Sequence, residues 1–315
     1  MNNALMEWSV LLPEIILASG ICVLLIMDLF VRDSARDLSY LFAIFLLAGV
    51  AWVLIGTNPE VTAQLAAGGA YVADGLARVL KLFAVTAVAT VFLYSRPWLR
   101  SRNLHFGEYY VLGLFGLLGV MVLASGYSLL VSYIGLEILS LSLYAMVAFD
   151  RDSARSAEAA MKYFVLGAIA SGTLLYGMSL IYGITGTLQI GELQTAIAAK
   201  SDVVGLWVGL GFMVVGVAFK FGAVPFHMWV PDVYDGAATP VTLYIGTAPK
   251  LGALALAVRL LVEGAEGLVS FWEPMLAALA VLSLVLGNVA AIAQTRIRRM
   301  LAYSTISHVG FILLG

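Results

Sequence analysis

Residues 8–30 read WSVLLPEIILASGICVLLIMDLF. The run carries only two charges, Glu14 near its start and Asp28 near its end, and no Lys or Arg precedes it. A helix needs about 20 apolar residues to cross the hydrocarbon of a bilayer, and this run has that length. It is too long for the apolar core of a secretory leader and lacks the basic residues that precede one, so it reads as a first membrane helix. The whole chain follows suit. Of its 315 residues 62% are hydrophobic and 11% charged, with mean hydropathy +0.99, against about 45–50% apolar and about 25% charged in soluble domains. Such a composition suits lipid as its solvent. The one cysteine, Cys22, excludes an internal disulfide and a thiolate metal cluster, and its apolar neighbours predict a small buried hydrophobe.

The same ruler predicts crossings at 8–30, 38–56, 71–94, 107–124, 127–149, 160–183, 203–224, 240–261, 271–293 and from 300 onward. Irregular or polar segments connect these runs, and none is long enough for a soluble domain. Basic residues mark the cytoplasmic side of such proteins. They lie in the first connection (Arg32, Arg36), the third (Arg96, Arg100, Arg102), the fifth (Arg151, Arg155) and the ninth (Arg296, Arg298, Arg299); among the even connections only the sixth has one, Lys200. The expectation is a multi-pass protein of the bacterial cell inner membrane with a periplasmic N-terminus. The seventh connection has no Lys or Arg, so its side rests on parity. The last run, Met300 to Gly315, is short of a crossing and has no polar flank, which reads as a chain cut short.

Most charges fall at span ends. Glu137, Lys220 and Lys250 fall inside spans five, seven and eight, where each costs roughly 2.5–3.5 kcal/mol on an insertion scale. Either Glu137 ties helices together by pairing with a lysine, or the three form a relay of titratable groups. Burial and a nearby opposite charge shift an amine in opposite directions, so a lysine balanced between them can exchange protons near neutral pH. Pro225 follows Lys220 and Pro249 precedes Lys250. A proline within a helix frees the carbonyl four residues back, here Phe221 and Ile245, and freed carbonyls at membrane depth can hold water. His227 and His308 fit a proton relay and a satisfied core role equally well, whereas His105 reads as interfacial. Lys162, at the start of span six, either snorkels to water or modulates Glu137. Asp74, Arg78 and Lys81 share a face of span three and read as an internal ion-pair cluster in preference to a second pathway.

Particular stretches carry a resemblance: Leu12-Pro13-Glu14, Gly135 to Tyr144, Glu158 to Phe164, Tyr182 to Leu188, Phe219-Lys220 through Pro225, His227 and Pro231 to Thr242, Gly287-Asn288, and Arg299 to Ser304 with His308. In this order they resemble the subunit N family of NADH-quinone oxidoreductase, an antiporter-like, proton-translocating part of respiratory complex I. The resemblance implies an all-α polytopic membrane fold with inverted five-helix repeats. Residues 1–106 would form helices one to three, 107–262 the first repeat, and 263–315 the start of an incomplete second repeat. It also implies that Glu137 pairs with Lys220, that Lys250 carries the relay onward, and that Lys162 modulates it. Ala237-Ala238 departs from the proline that the family often has ahead of Thr239-Pro240. The implied partners are other membrane subunits of complex I, the lipid bilayer and protons, with no nucleic acid. No cofactor is expected on this chain; NADH, FMN, iron-sulfur clusters and quinone would belong to other subunits, and no Gly-x-Gly-x-x-Gly stands at a strand–helix junction.

Three other readings compete. A subunit of a multisubunit cation/proton antiporter would share the Glu/Lys/Lys axis. A haem-bearing cytochrome b-type subunit needs two histidine pairs, and only His227 and His308 lie near membrane depth. A passive scaffold would tolerate loss of Glu137.

Overall fold

A chain in lipid must satisfy its backbone polar groups internally, which leaves helices as the economical answer. The computed structural model describes residues 2–31, 36–56, 64–104, 106–200 and 203–315, with side chains described from Val10 onward. Arg32 and His105 lie outside the described residues.

The helices are α1 (Asn2–Phe30), α2 (Asp37–Gly56), α3 (Gly75–Ser101), α4 (Gly107–Ser125), α5 (Leu129–Val147), α6 (Ala154–Thr185), α7 (Ile190–Ala198), α8 (Val204–Phe221), α9 (Trp229–Gly236), α10 (Thr239–Ile245), α11 (Ala248–Ala257), α12 (Val269–Ile292) and α13 (Ile297–Leu314). Among the described residues, nine helical stretches are long and apolar enough to cross a membrane. They correspond to the first nine predicted crossings. α13 takes the place of the tenth and is not among those nine.

Two expectations about the connections need correction. Residues 71–73 do not begin the third crossing: they form strand β2 (Tyr71–Ala73), antiparallel to β1 (Gln64–Ala66). The bend between the strands places Ala67, Gly68 and Gly69 at positive φ, a conformation suited to glycine. α3 starts only at Gly75, where the Asp74 carboxylate accepts from the Ala77 N–H at 2.8 Å and caps it. The sixth connection, read as irregular, contains α7, which buries Ile190, Leu193 and Ile197 at helical spacing.

The described residues form two compact units. The first is Met1–Phe149 with Pro240–Ala255; the second is Asp150–Thr239 with Leu256–Gly315. In the first, α4 and α5 approach closely. A Cβ on Gly119 would stand 2.5 Å from the Leu139 backbone nitrogen, so only glycine admits this contact, as is common where membrane helices pack. α10 is tied to α4 by the Tyr244 hydroxyl, which donates to the Gly113 carbonyl at 2.6 Å. In the second unit α6 packs on α8, and α12 on α13.

Contacts within each unit test the predicted alternation of sides. Asp37 of the first connection pairs with Arg96 at 3.1 Å and with Arg100. The hairpin of the second connection meets the fourth, where Tyr127 N–H donates to Ala70 at 2.9 Å. The seventh connection meets the ninth through Arg296–Asp235 (2.7 Å) and Arg299–Asp232 (3.0 Å). The sixth meets the eighth through Gln194, which donates to Glu266 at 2.6 Å. Odd connections thus join odd, and even join even. The seventh, which sequence placed by parity alone, shares a side with the ninth.

Candidate functional site

Pro225 was expected inside a helix, and it is not. α8 ends at Phe221 because Gly222 turns left-handed (φ 74°) and its N–H closes on the Ala218 and Phe219 carbonyls. Pro225 falls in the non-helical stretch that follows, ahead of α9. Lys220 therefore stands in the last turn of α8, where a cation faces the carbonyl end of a helix dipole. The stretch is anchored at both ends. Trp229 Nε1 donates to the Phe219 carbonyl at 3.1 Å, and the Val224 N–H donates to Ser283 Oγ at 2.9 Å.

The eighth crossing is likewise interrupted. α10 stops at Ile245 and α11 starts at Ala248, with the Thr247 hydroxyl donating to the Leu243 and Tyr244 carbonyls at 3.0 Å each. Pro249 occupies the first turn of α11, where its missing N–H removes no helical bond. Lys250 follows in the same turn, its N–H on the Thr247 carbonyl at 3.1 Å. Both lysines thus sit at helix ends made by breaks in the chain, one at a C-terminus and one at an N-terminus.

Glu137 lies midway along α5, half-buried, with Leu136, Leu139 and Ser140 buried around it. The Tyr144 hydroxyl is within reach of its charge. Glu137 and Lys250 belong to the first unit, and their helices touch: a Cβ on Gly252 would lie 3.3 Å from Leu139 Cδ2. Each of those contact residues is two positions beyond the charged one. Lys220, Lys162, His227 and His308 belong to the second unit.

Lys162 pairs with Glu158 at 2.8 Å and Asp232 at 3.0 Å. Those carboxylates, with Arg155, Asp235, Arg296 and Arg299, line a cavity of about 180 Å³. His227, outside the crossing helices, is half-buried. Desolvation pulls its imidazole below the ordinary histidine value, against a hydrogen bond to the Pro225 backbone that acts the other way. His308 is exposed. Cys22 is exposed too, not buried as its neighbours suggested; a thiol facing lipid is tolerated because it behaves as a small hydrophobe.

Two buried ion pairs escaped the sequence reading. Lys81 does not simply join Asp74 and Arg78. Its ammonium lies 2.7 Å from the Glu14 carboxylate, while Arg78 donates to the Leu54 and Ile55 carbonyls at 3.0 and 2.9 Å. Arg259, 1% exposed, forks onto both oxygens of Glu263 at 2.7 and 2.9 Å within a π-helical segment, Val258–Glu263. The i,i+4 spacing of that second pair was a readable signal. Among the described residues no three His, Cys, Asp or Glu side chains converge to hold a metal ion.

Known proteins share this sequence and fold. The family described as "NADH:quinone oxidoreductase/Mrp antiporter, TM" matches residues 126–315. NADH-quinone oxidoreductase subunit N of Thioalkalivibrio sulfidiphilus is 58% identical over 96% of this chain, and that of Thiobacillus denitrificans is 52% identical over 100%. The chain spans 64% and 65% of their lengths. A solved chain of respiratory complex I from Thermus thermophilus with bound aureothin superposes with TM-score 0.80 at 34% identity, covering 96% of this chain and 63% of that one. With a matched region that takes in more than half of its residues, the chain belongs to the NADH:quinone oxidoreductase/Mrp antiporter membrane family.

Proposed function

We propose that the chain is a proton-translocating membrane subunit of an NADH-quinone oxidoreductase, coupling NADH-to-quinone electron transfer to proton movement through Glu137, Lys220 and Lys250. The observation that carries this reading is the placement of both lysines at helix discontinuities, with the Lys250 half-helix packed beside the helix of Glu137. Broken helices expose terminal backbone groups that hold ions and water at membrane depth, and continuous apolar helices would not.

In the proposed cycle, redox energy released in other subunits alters the hold of the Glu137 charge on the Lys220 proton. With the carboxylate near, the ammonium keeps its proton; with it withdrawn, the proton passes toward Lys250. Lys162, held by Glu158 and Asp232, sets the field at the start of this route, and His227 and His308 are candidate carriers. The chain itself binds no redox group in this scheme. NADH, FMN, iron-sulfur clusters and quinone act in partner subunits of the bacterial inner membrane, and the N-terminus faces the periplasm.

Lys220→Ala tests the assignment. In the assembled complex it should lower protons moved per electron at least fivefold while NADH oxidation by the peripheral subunits persists. Unchanged pumping with intact assembly removes Lys220 from the path.

A second reading, a subunit of a cation/proton antiporter, is equally compatible with the family description, which spans both classes. Sodium-dependent proton exchange that continues without NADH would select it.

A further inference from the structure

Glu14, Lys81 and Tyr71 meet in the first packing unit, and none of them enters the relay above. The Lys81 ammonium lies 2.7 Å from a Glu14 carboxylate oxygen and donates to the Tyr71 hydroxyl at 3.2 Å. Glu14 is 7% exposed and Lys81 3%. Apart from the ion pair, Glu14 is met only by the Tyr71 hydroxyl, which also faces the fully buried Ser125, and the fully buried Ser132 hydroxyl has no hydrogen-bond partner. These serines share the neighbourhood. Tyr71 bridges to Gly126, next to Ser125, and Ser132 Oγ is 3.3 Å from where a Cβ on Gly126 would stand.

Buried polar atoms so sparsely paired are costly, and a buried ion pair is a poor staple compared with apolar packing. Ordered water, with several polar partners available, would resolve the deficit. Desolvation, then the Glu14 charge, holds the Tyr71 phenol well above its ordinary range, so it remains a proton donor to the site.

We propose that Glu14, Lys81 and Tyr71, with Ser125 and Ser132, form a second, hydrated proton-holding site on the side of the second and fourth connections. A proton leaves the Lys81 ammonium as its N–H bond breaks and an O–H bond forms on Glu14. The pair is neutral overall before and after. A hydronium ion arriving through the water then reprotonates Lys81 and leaves as water, and Glu14 gives its proton to another water as hydronium, which restores the starting ion pair.

The proposal rests on the translocation reading, and the test separates the two. In the assembled complex, Glu14→Gln, Lys81→Met and the double variant are compared for assembly, NADH oxidation and protons per electron, with Lys220→Ala alongside. The site predicts pumping reduced at least threefold in the double variant. If the double variant pumps normally while Lys220→Ala does not, the pair is a structural staple and this proposal alone fails. If Lys220→Ala also pumps normally, the relay reading fails instead. A high-resolution map of the unaltered complex provides a second measurement, independent of whether the variants assemble. Ordered water between Glu14 and Ser125 supports the site; a dry cleft there overturns it.

Discussion

The Trp229 indole spans the break after α8: its N–H donates to the Phe219 carbonyl at 3.1 Å, and its ring stacks on Tyr163 with centroids 4.6 Å apart. Phe219 precedes Lys220, so this bond fixes the helix end on which the lysine stands. Trp229→Phe keeps a ring for the stack and deletes the hydrogen bond. It should cost about 1 kcal/mol. Trp229→Ala also opens a cavity and should cost about 3–5 kcal/mol. Thermal unfolding of the purified complex would rank them; equal midpoints for both variants would show that the indole N–H and ring hold nothing there.

Much of this arrangement was legible in the chain. The apolar runs located nine crossings, the Arg pattern located the shared side later seen in Asp37–Arg96, and parity alone placed the one seen in Arg299–Asp232. The ends of elements were less legible. Pro225 looked like a kink inside a helix, yet Gly222 had already ended α8, because a left-handed cap acts before the proline does. Pairings between distant spans were not legible at all. Glu14 and Lys81 stand alone in their own helices, and nothing in one-dimensional spacing says that they meet. For the same reason the pairing of Glu137 with Lys220 stays a matter for experiment.

The contact of α4 with α5 at Gly119 gives a packing prediction. A Cβ there would lie 2.5 Å from the Leu139 nitrogen and 2.8 Å from the Gly135 oxygen, both backbone atoms that cannot swing aside. Gly119→Ala should therefore separate the helices and cost about 1–3 kcal/mol, the usual range for overpacking. Because Leu139 also meets the Gly252 region of α11, the yield of assembled complex on a native gel should fall. Ala at Gly172, which has open space around it, serves as the control. Equal yields from the two variants would contradict the close contact.

His227 supplies a prediction in pH. Its folded value lies below the ordinary 6.5 because of desolvation, so the unfolded chain binds more protons at mildly acidic pH. Stability then rises with pH across this window. The contribution is complete above about 6.5 and is lost as pH falls from there through the lower folded value. His227→Gln removes that dependence. Melting midpoints recorded from pH 7.5 down to pH 5 should fall less steeply in the variant than in the unaltered protein. Parallel profiles would mean that the imidazole is solvated in both states.

The sharing of sides gives the most direct test of membrane orientation. Gln194 and Glu266 bond to one another, so the sixth and eighth connections emerge together. Asp235 and Arg296 do the same for the seventh and ninth. The proposed orientation puts the first pair in the periplasm and the second in the cytoplasm, following the excess of arginine. In a Cys22→Ser background, Gln194→Cys should react with a membrane-impermeant maleimide added to whole cells. Gln294→Cys, in the arginine-rich ninth connection, should react only after the membrane is opened. Both positions are polar and stand in connections, so the substitutions leave the crossing helices intact. Labelling in the reverse order would keep the alternation and invert the protein. Labelling of both from one side would break the alternation itself, and with it the count of crossings between residues 194 and 294.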